Sequence, residues 1–254
     1  MPVVPGAEPF AADGGPIGAV LCHGFTGSPW SMRPWAEHLA AAGLAVTVPR
    51  LPGHGTRWQE LNQTRWEDWY GELERAFDAL RGRCDAVFVM GLSVGGTLSL
   101  RLAEQRGTEV AGVVVVNAQL TTERKDAKLL PLLAPVIPSL PGVADDINKP
   151  GVTERAYSRL PLRAARSLTR LWALTRAELD RITQPLLVFR SQVDHVVEPV
   201  SSRLLLAGAR SADVEEVVLA NSFHVATLDY DAPLIFERSL AFVHRHTGTP
   251  ASPA

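Results

Sequence analysis

The chain has 254 residues, 46% hydrophobic and 20% charged, with a formal net charge of −2. That length suffices for one substantial core, and the near-neutral balance excludes the electrostatic footprint of a nucleic-acid partner. Two cysteines (Cys22, Cys84) are too few for a disulfide framework, no run approaches a membrane span, and Met1–Gly15 lacks a secretory pattern, so the expected setting is the cytoplasm.

Short apolar runs alternate with longer amphipathic ones, the pattern of a mostly parallel sheet flanked by helices. Ile17–Cys22 and Leu44–Val48 are the first predicted strands. Between them Met32, Trp35, Ala36, Leu39 and Ala40 recur at helical spacing, with Ser31 as cap, Pro34 in the first turn and Gly43 as stop. Thr64-Arg65-Trp66-Glu67 reads as a capping box, followed by a stripe of Trp66, Trp69, Tyr70, Leu73, Phe77 and Leu80. The strand Val87–Met90 leads through Gly91 into a helix carrying Val94, Leu98 and Leu102, which stops near Gly107. Val113–Val116, Leu186–Phe189 and Val214–Leu219 complete the strands, apolar enough to be buried between two helix layers. The final helix runs from about Pro233 to His244, and Thr247–Ala254 shows no periodic pattern.

No strand is predicted between Asn117 and Gln184, a stretch much longer than a usual connection. The expectation is one domain over residues 1–254, with a cap inserted at about 119–163 and a helix over Ala164–Ile182 returning to the core. Leu129–Leu140, the most apolar stretch, carries three prolines, which suits a surface loop or lid.

Gly91-Leu92-Ser93-Val94-Gly95 is a G-x-S-x-G pattern, weak alone but here set between a strand and a helix, as a nucleophile elbow requires. Such a turn lifts Ser93 Oγ clear of the sheet over a helix N-terminus, where negative charge is favoured. A serine hydroxyl needs a base, and His224 follows the last strand, at the sheet edge where parallel folds place their sites. His195 is the competing base, although it would reach Ser93 from a different loop; His23 and His54 sit in Gly-flanked turns suited to local hydrogen bonding. Asp194, beyond Leu186–Phe189, can orient the imidazole or cap its own turn. The order Ser93, Asp194, His224 is that of α/β-hydrolases. Oxyanion donors are expected from the Val94 amide and from Phe25, in His23-Gly24-Phe25-Thr26-Gly27.

These segments resemble the bacterial monoacylglycerol lipases and small carboxylesterases. The likeness rests on His23-Gly24-Phe25-Thr26-Gly27-Ser28-Pro29, Leu51-Pro52-Gly53-His54-Gly55-Thr56, Gly91–Leu98, Asp194-His195-Val196-Val197 and Asn221–Asp229, and spans about residues 6–246. The resemblance implies a serine esterase acting on monoacylglycerols or short-to-medium-chain acyl esters, with Ser93, Asp194 and His224 as triad and Phe25 and Val94 as oxyanion donors. It also implies a glycerol contact for Glu154, in Thr153-Glu154-Arg155-Ala156-Tyr157, against the commoner solvated cap glutamate. A thioesterase or carbon–carbon hydrolase could use the same triad, and a non-catalytic binding protein could keep the fold. No metal-ligand spacing or phosphate loop occurs, and no cofactor is expected. Arg155, Arg159, Arg163, Arg166 and Arg170 recur at near-helical spacing and read as a solvated face, with transient contact to a lipid surface as the functional alternative.

Overall fold

Alternate residues of the apolar runs leave opposite faces of a strand, and this sorts the core into two layers. In the computed structural model, which describes residues 1–248 apart from the side chains at 126 and 128, Val20, Cys22, Val87 and Val89 enter one apolar cluster. Their neighbours Ala19, Leu21, Phe88 and Met90 enter the other.

The chain runs β1 (Phe10–Ala12), β2 (Ile17–Cys22), α1 (Arg33–Ala41), β3 (Ala45–Val48), α2 (Trp58–Leu61), α3 (Trp66–Arg81), β4 (Ala86–Leu92), α4 (Val94–Arg106) and β5 (Gly112–Val116). It continues through α5 (Leu130–Leu133), β6 (Ser139–Pro141), β7 (Arg159–Pro161), α6 (Leu162–Ala177), β8 (Leu186–Ser191), α7 (Val200–Gly208), β9 (Val214–Leu219) and α8 (Ala232–Thr247). Seven strands form one sheet in the order β1-β3-β2-β4-β5-β8-β9, parallel except for β1. Residues of α3, α4 and α6 cover one face, and those of α1 and α8 the other. Among the described residues no helix is long and apolar enough to cross a membrane.

Several local expectations shift. Ser28 Oγ, not Ser31, accepts the Trp30 amide at 3.4 Å, because a 3₁₀ turn precedes α1; Ser31 Oγ donates to the Ser28 carbonyl. The capping box moves by one residue. The Arg65 amide donates to the Asp68 carboxylate at 2.8 Å, while Thr64 Oγ1 is engaged by the Trp69 indole N–H at 2.9 Å. A local contact from the second turn of α3 thus takes the hydroxyl that the capping pattern assigned to the helix N-terminus. Strand β9 is a sheet edge with Val214 and Val218 exposed, not a strand covered on both faces. The ribbon β6–β7 lies in the stretch where no strand was expected; each strand has three residues and a proline, too short to show a period. Helix α6 starts at Leu162 and ends at Ala177, short of Ile182. The unpatterned tail lies outside the described residues from 249 onward.

What most directly positions the site is the turn from β4 to α4. Ser93 sits there at φ 55° and ψ −119°, a conformation costing about 1–3 kcal/mol that its surroundings must hold. Glycine makes the crossing possible: a Cβ on Gly91 would lie 2.3 Å from the Gly95 backbone, and one on Gly95 2.1 Å from the Cys22 carbonyl oxygen. Gly95→Ala is therefore expected to destabilise the fold by at least about 3 kcal/mol, a fall in Tm on the order of 6–12 °C. Thermal unfolding followed by circular dichroism checks this; an unchanged Tm would show that β2 and α4 are not packed this closely.

Candidate active site

Ser93 is almost fully buried, its amide donating to the Val116 carbonyl at 2.9 Å, and it lines a cavity of about 370 Å³. His224 lines the same cavity, on the loop after β9. Among the described residues Ser93 Oγ makes no hydrogen bond, and such contacts in free enzymes often tighten only with substrate.

The imidazole is held from behind. His224 Nδ1 stands 2.8 Å from Asp194 Oδ2, and both side chains are less than a tenth exposed. Asp194 Oδ1 accepts the amides of Val196 and Val197, each at 2.8 Å. One carboxylate therefore fills both roles the sequence left open, capping its turn with one oxygen and meeting the imidazole with the other. Burial opposes charging the imidazole, but the charge and hydrogen bond of Asp194, with the charges of Glu154 and Asp146, outweigh it and hold the His224 pKa above its ordinary value. Burial likewise disfavours the Asp194 carboxylate, yet His224 and the two amides keep its pKa below the usual range.

The histidine loop is fixed by groups the sequence did not single out. Asn117, at φ 47° just beyond β5, donates to the His224 carbonyl at 2.8 Å and accepts the Ser191 amide at 2.8 Å. Asp229, noted only within a motif, accepts the amides of Phe223, Asn148 and Lys149 at 2.9, 2.6 and 3.0 Å. Apart from the Phe223–Asp229 bond, these polar contacts join segments far apart in the chain, and no local period announces them.

Val94 is the first residue of α4, so its amide is one of those a helix leaves without an internal partner. The turn carrying Phe25 is set by His23. The Leu51 amide donates to His23 Nε2 at 3.2 Å, which leaves the proton on Nδ1, and Nδ1 donates to the Gly24 carbonyl at 2.9 Å. That carbonyl shares a trans peptide with the Phe25 amide, so the N–H points away from the His23 ring. Burial lowers the His23 pKa to about 4, keeping the ring neutral as both bonds require. Gly24 lies against Ser93: a Cβ there would sit 3.4 Å from the serine Cβ.

Glu154 is buried and lines the cavity, unlike the commoner solvated cap glutamate. Its neighbours fasten it. Trp30 Nε1 donates to the Thr153 carbonyl at 3.0 Å, the Arg155 guanidinium lies 3.7 Å over the Trp30 ring, and the Glu154 amide donates to Asp145 at 2.6 Å. Burial raises the Glu154 pKa to about 7, the His224 charge opposing this and the Asp145 charge adding to it. The remaining wall is largely apolar, with Leu130, Leu133 and Leu140 of the Pro-rich stretch facing Leu162, Leu168 and Trp172 at α6.

His195, the competing base, is more than half exposed, bonds Asp146 at 2.7 Å and does not line this cavity. The arginine series is not one helical face: Arg155 and Arg159 precede α6, stacking on Trp30 and Trp58, and Arg163, Arg166 and Arg170 are exposed on α6. Cys22 and Cys84 are buried and unbridged.

Comparison with known proteins agrees with this architecture. A family model described as Hydrolase_4, Serine aminopeptidase, S33, matches residues 18–231. A thermostable monoacylglycerol lipase of Bacillus sp. (strain H-257) is 45% identical over 252 residues, 97% of this chain and 98% of that one. A solved structure from a study of LipS and LipT, two metagenome-derived lipolytic enzymes, superposes with a TM-score of 0.94 at 42% identity, covering 96% of this chain and 100% of that one. The monoacylglycerol lipase of Paleococcus ferrophilus shares the fold, with a TM-score of 0.81 at 21% identity over 97% of this chain and 100% of its own. The chain thus belongs to the serine aminopeptidase S33 (Hydrolase_4) family and is a hydrolase with the α/β-hydrolase fold.

Proposed function

We propose that this hydrolase cleaves monoacylglycerols and related short-to-medium-chain acyl esters through an acyl-enzyme on Ser93. The observation that carries the reading is the junction at the cavity. Ser93 and an imidazole already paired with Asp194 open onto an apolar space that also holds a buried carboxylate, Glu154.

In this reading His224 takes the Ser93 proton as Oγ attacks the ester carbonyl, and the Phe25 and Val94 amides receive the oxyanion. The imidazolium returns its proton to the departing alcohol, and a water repeats the cycle to free the acid. Each proton and charge has a named holder, so the chemistry needs no cofactor. Residues of about 119–163 serve as the cap. Leu130, Leu133 and Leu140 face the acyl chain, while exposed Leu132 and Val136 make transient contact with the lipid aggregate that supplies substrate. The two unbridged thiols fit a cytoplasmic setting.

The test is a panel of monoacylglycerols, p-nitrophenyl esters of graded length, an acyl thioester and an aminoacyl arylamide, with released fatty acid and glycerol quantified. Monoacylglycerol is expected to lead in kcat/KM; a leading thioester or arylamide would overturn the reading. Assayed above pH 7, where Glu154 is mostly ionised, Glu154→Gln is expected to raise KM for monoacylglycerol by about tenfold or more, the loss of a hydrogen bond to a charged group. It should leave p-nitrophenyl butyrate within about twofold. Equal losses on both substrates would remove the glycerol role.

A further inference from the structure

We propose that Asp146 is a positioning residue, a clamp that ties the loop carrying His224 to the loop carrying Asp194. The proposal rests on the triad reading above. Asp146 Oδ2 accepts two amides, that of His224 at 3.2 Å and that of His195, the residue after Asp194, also at 3.2 Å. Its own carbonyl accepts the Val225 amide at 3.1 Å. Two consecutive amides of the base loop and one of the acid loop therefore end on a single residue, which lies between β6 and β7.

The contacts define a distance. The imidazole meets Asp194 through one hydrogen bond between loops following different strands, β8 and β9. Asn117 and Ser191 tie the histidine loop to the end of β8, upstream of the acid. The Asp146 carboxylate adds a tie at the residue next to Asp194, where a shift would move the acid relative to the ring. A displacement on the order of 1 Å at such a site can cost about a hundredfold in rate.

Asp146 also contributes charge. The groups facing His224 are Asp194, Glu154 and Asp146, all acidic, with Asp145 acting on Glu154 and the exposed His195 ring bonded to Asp146 Oδ1 at 2.7 Å. Removing the Asp146 charge while keeping its acceptor should make the imidazole a weaker base, so the acid limb of the pH–rate profile moves to lower pH.

The test measures kcat, KM and the pH dependence of kcat/KM on p-nitrophenyl butyrate for Asp146→Ala and Asp146→Asn, with Tm recorded for each. Asp146→Ala is expected to lose about tenfold to a hundredfold in kcat with KM within about twofold. Asp146→Asn, whose amide oxygen can still accept the two N–H groups, is expected to recover most of that loss with its acid limb at lower pH. A folded Asp146→Ala with wild-type kcat overturns the proposal. So does an Asp146→Asn whose acid limb is unmoved, and this variant decides the matter should the alanine form fail to fold. Labelling of wild type, Ser93→Ala and His224→Ala with a fluorophosphonate runs in parallel. Full loss in those two with Asp146 variants like wild type overturns the clamp alone, whereas labelling that survives in them overturns the triad reading first.

Discussion

Ser93→Ala is expected to lower kcat for p-nitrophenyl butyrate by about 10⁶-fold and to abolish fluorophosphonate labelling, with Tm changed little. The reason is chemical: in the proposed mechanism the substitution removes the atom that forms the acyl-enzyme, while the turn loses one oxygen that makes no hydrogen bond among the described residues. His224→Ala should fall as far, because an alcohol without a neighbouring base stays protonated. Losses of this kind do not add, since either substitution disables the same step. The double variant should therefore be no slower than the worse single one. Burst kinetics and labelling together check this, and residual labelling of Ser93→Ala would move the nucleophile elsewhere.

Asp194→Asn is expected to reduce kcat by about 10⁴-fold although it is nearly isosteric. The carboxylate accepts from Nδ1–H and so leaves Nε2 free to take a proton. An amide nitrogen in that place would favour the opposite tautomer. The pH profile carries the sign. As the proposed base His224 acts only when neutral, so kcat/KM is expected to fall as pH drops through its pKa, which Asp194 and the nearby acids hold above the ordinary histidine value. Without the Asp194 charge that limb should move to lower pH, even as the plateau drops. A limb that stays in place would mean that another group controls the rate.

The sheet was legible because strand periodicity is local. Ile17–Cys22 and Val214–Leu219 match the sequence expectation in their bounds, and β3, β4, β5 and β8 differ from theirs only at the ends. What failed there was burial, since the valines of β9 look like those of β5 until the strand order leaves β9 at an edge. The ribbon β6–β7 escaped because two three-residue strands contain no period to read.

The candidate site divides along the same line. The strained turn at Ser93 was readable from a serine between glycines after a strand, a near-neighbour feature, and Asp194 and His224 were proposed from chain order and now stand 2.8 Å apart. Only the fold distinguishes His195 from His224 in placement, leaving one ring more than half exposed and setting the other on the cavity. Burial of Glu154 and the reach of Asp146 to two loops likewise needed the tertiary structure. Sequence by itself determined the alternation of elements and the strained turn, because backbone sterics and side-chain period act within a few residues. Tertiary structure alone decided which polar groups meet, because a hydrogen bond between Asp146 and His224 depends on where the whole intervening chain has gone.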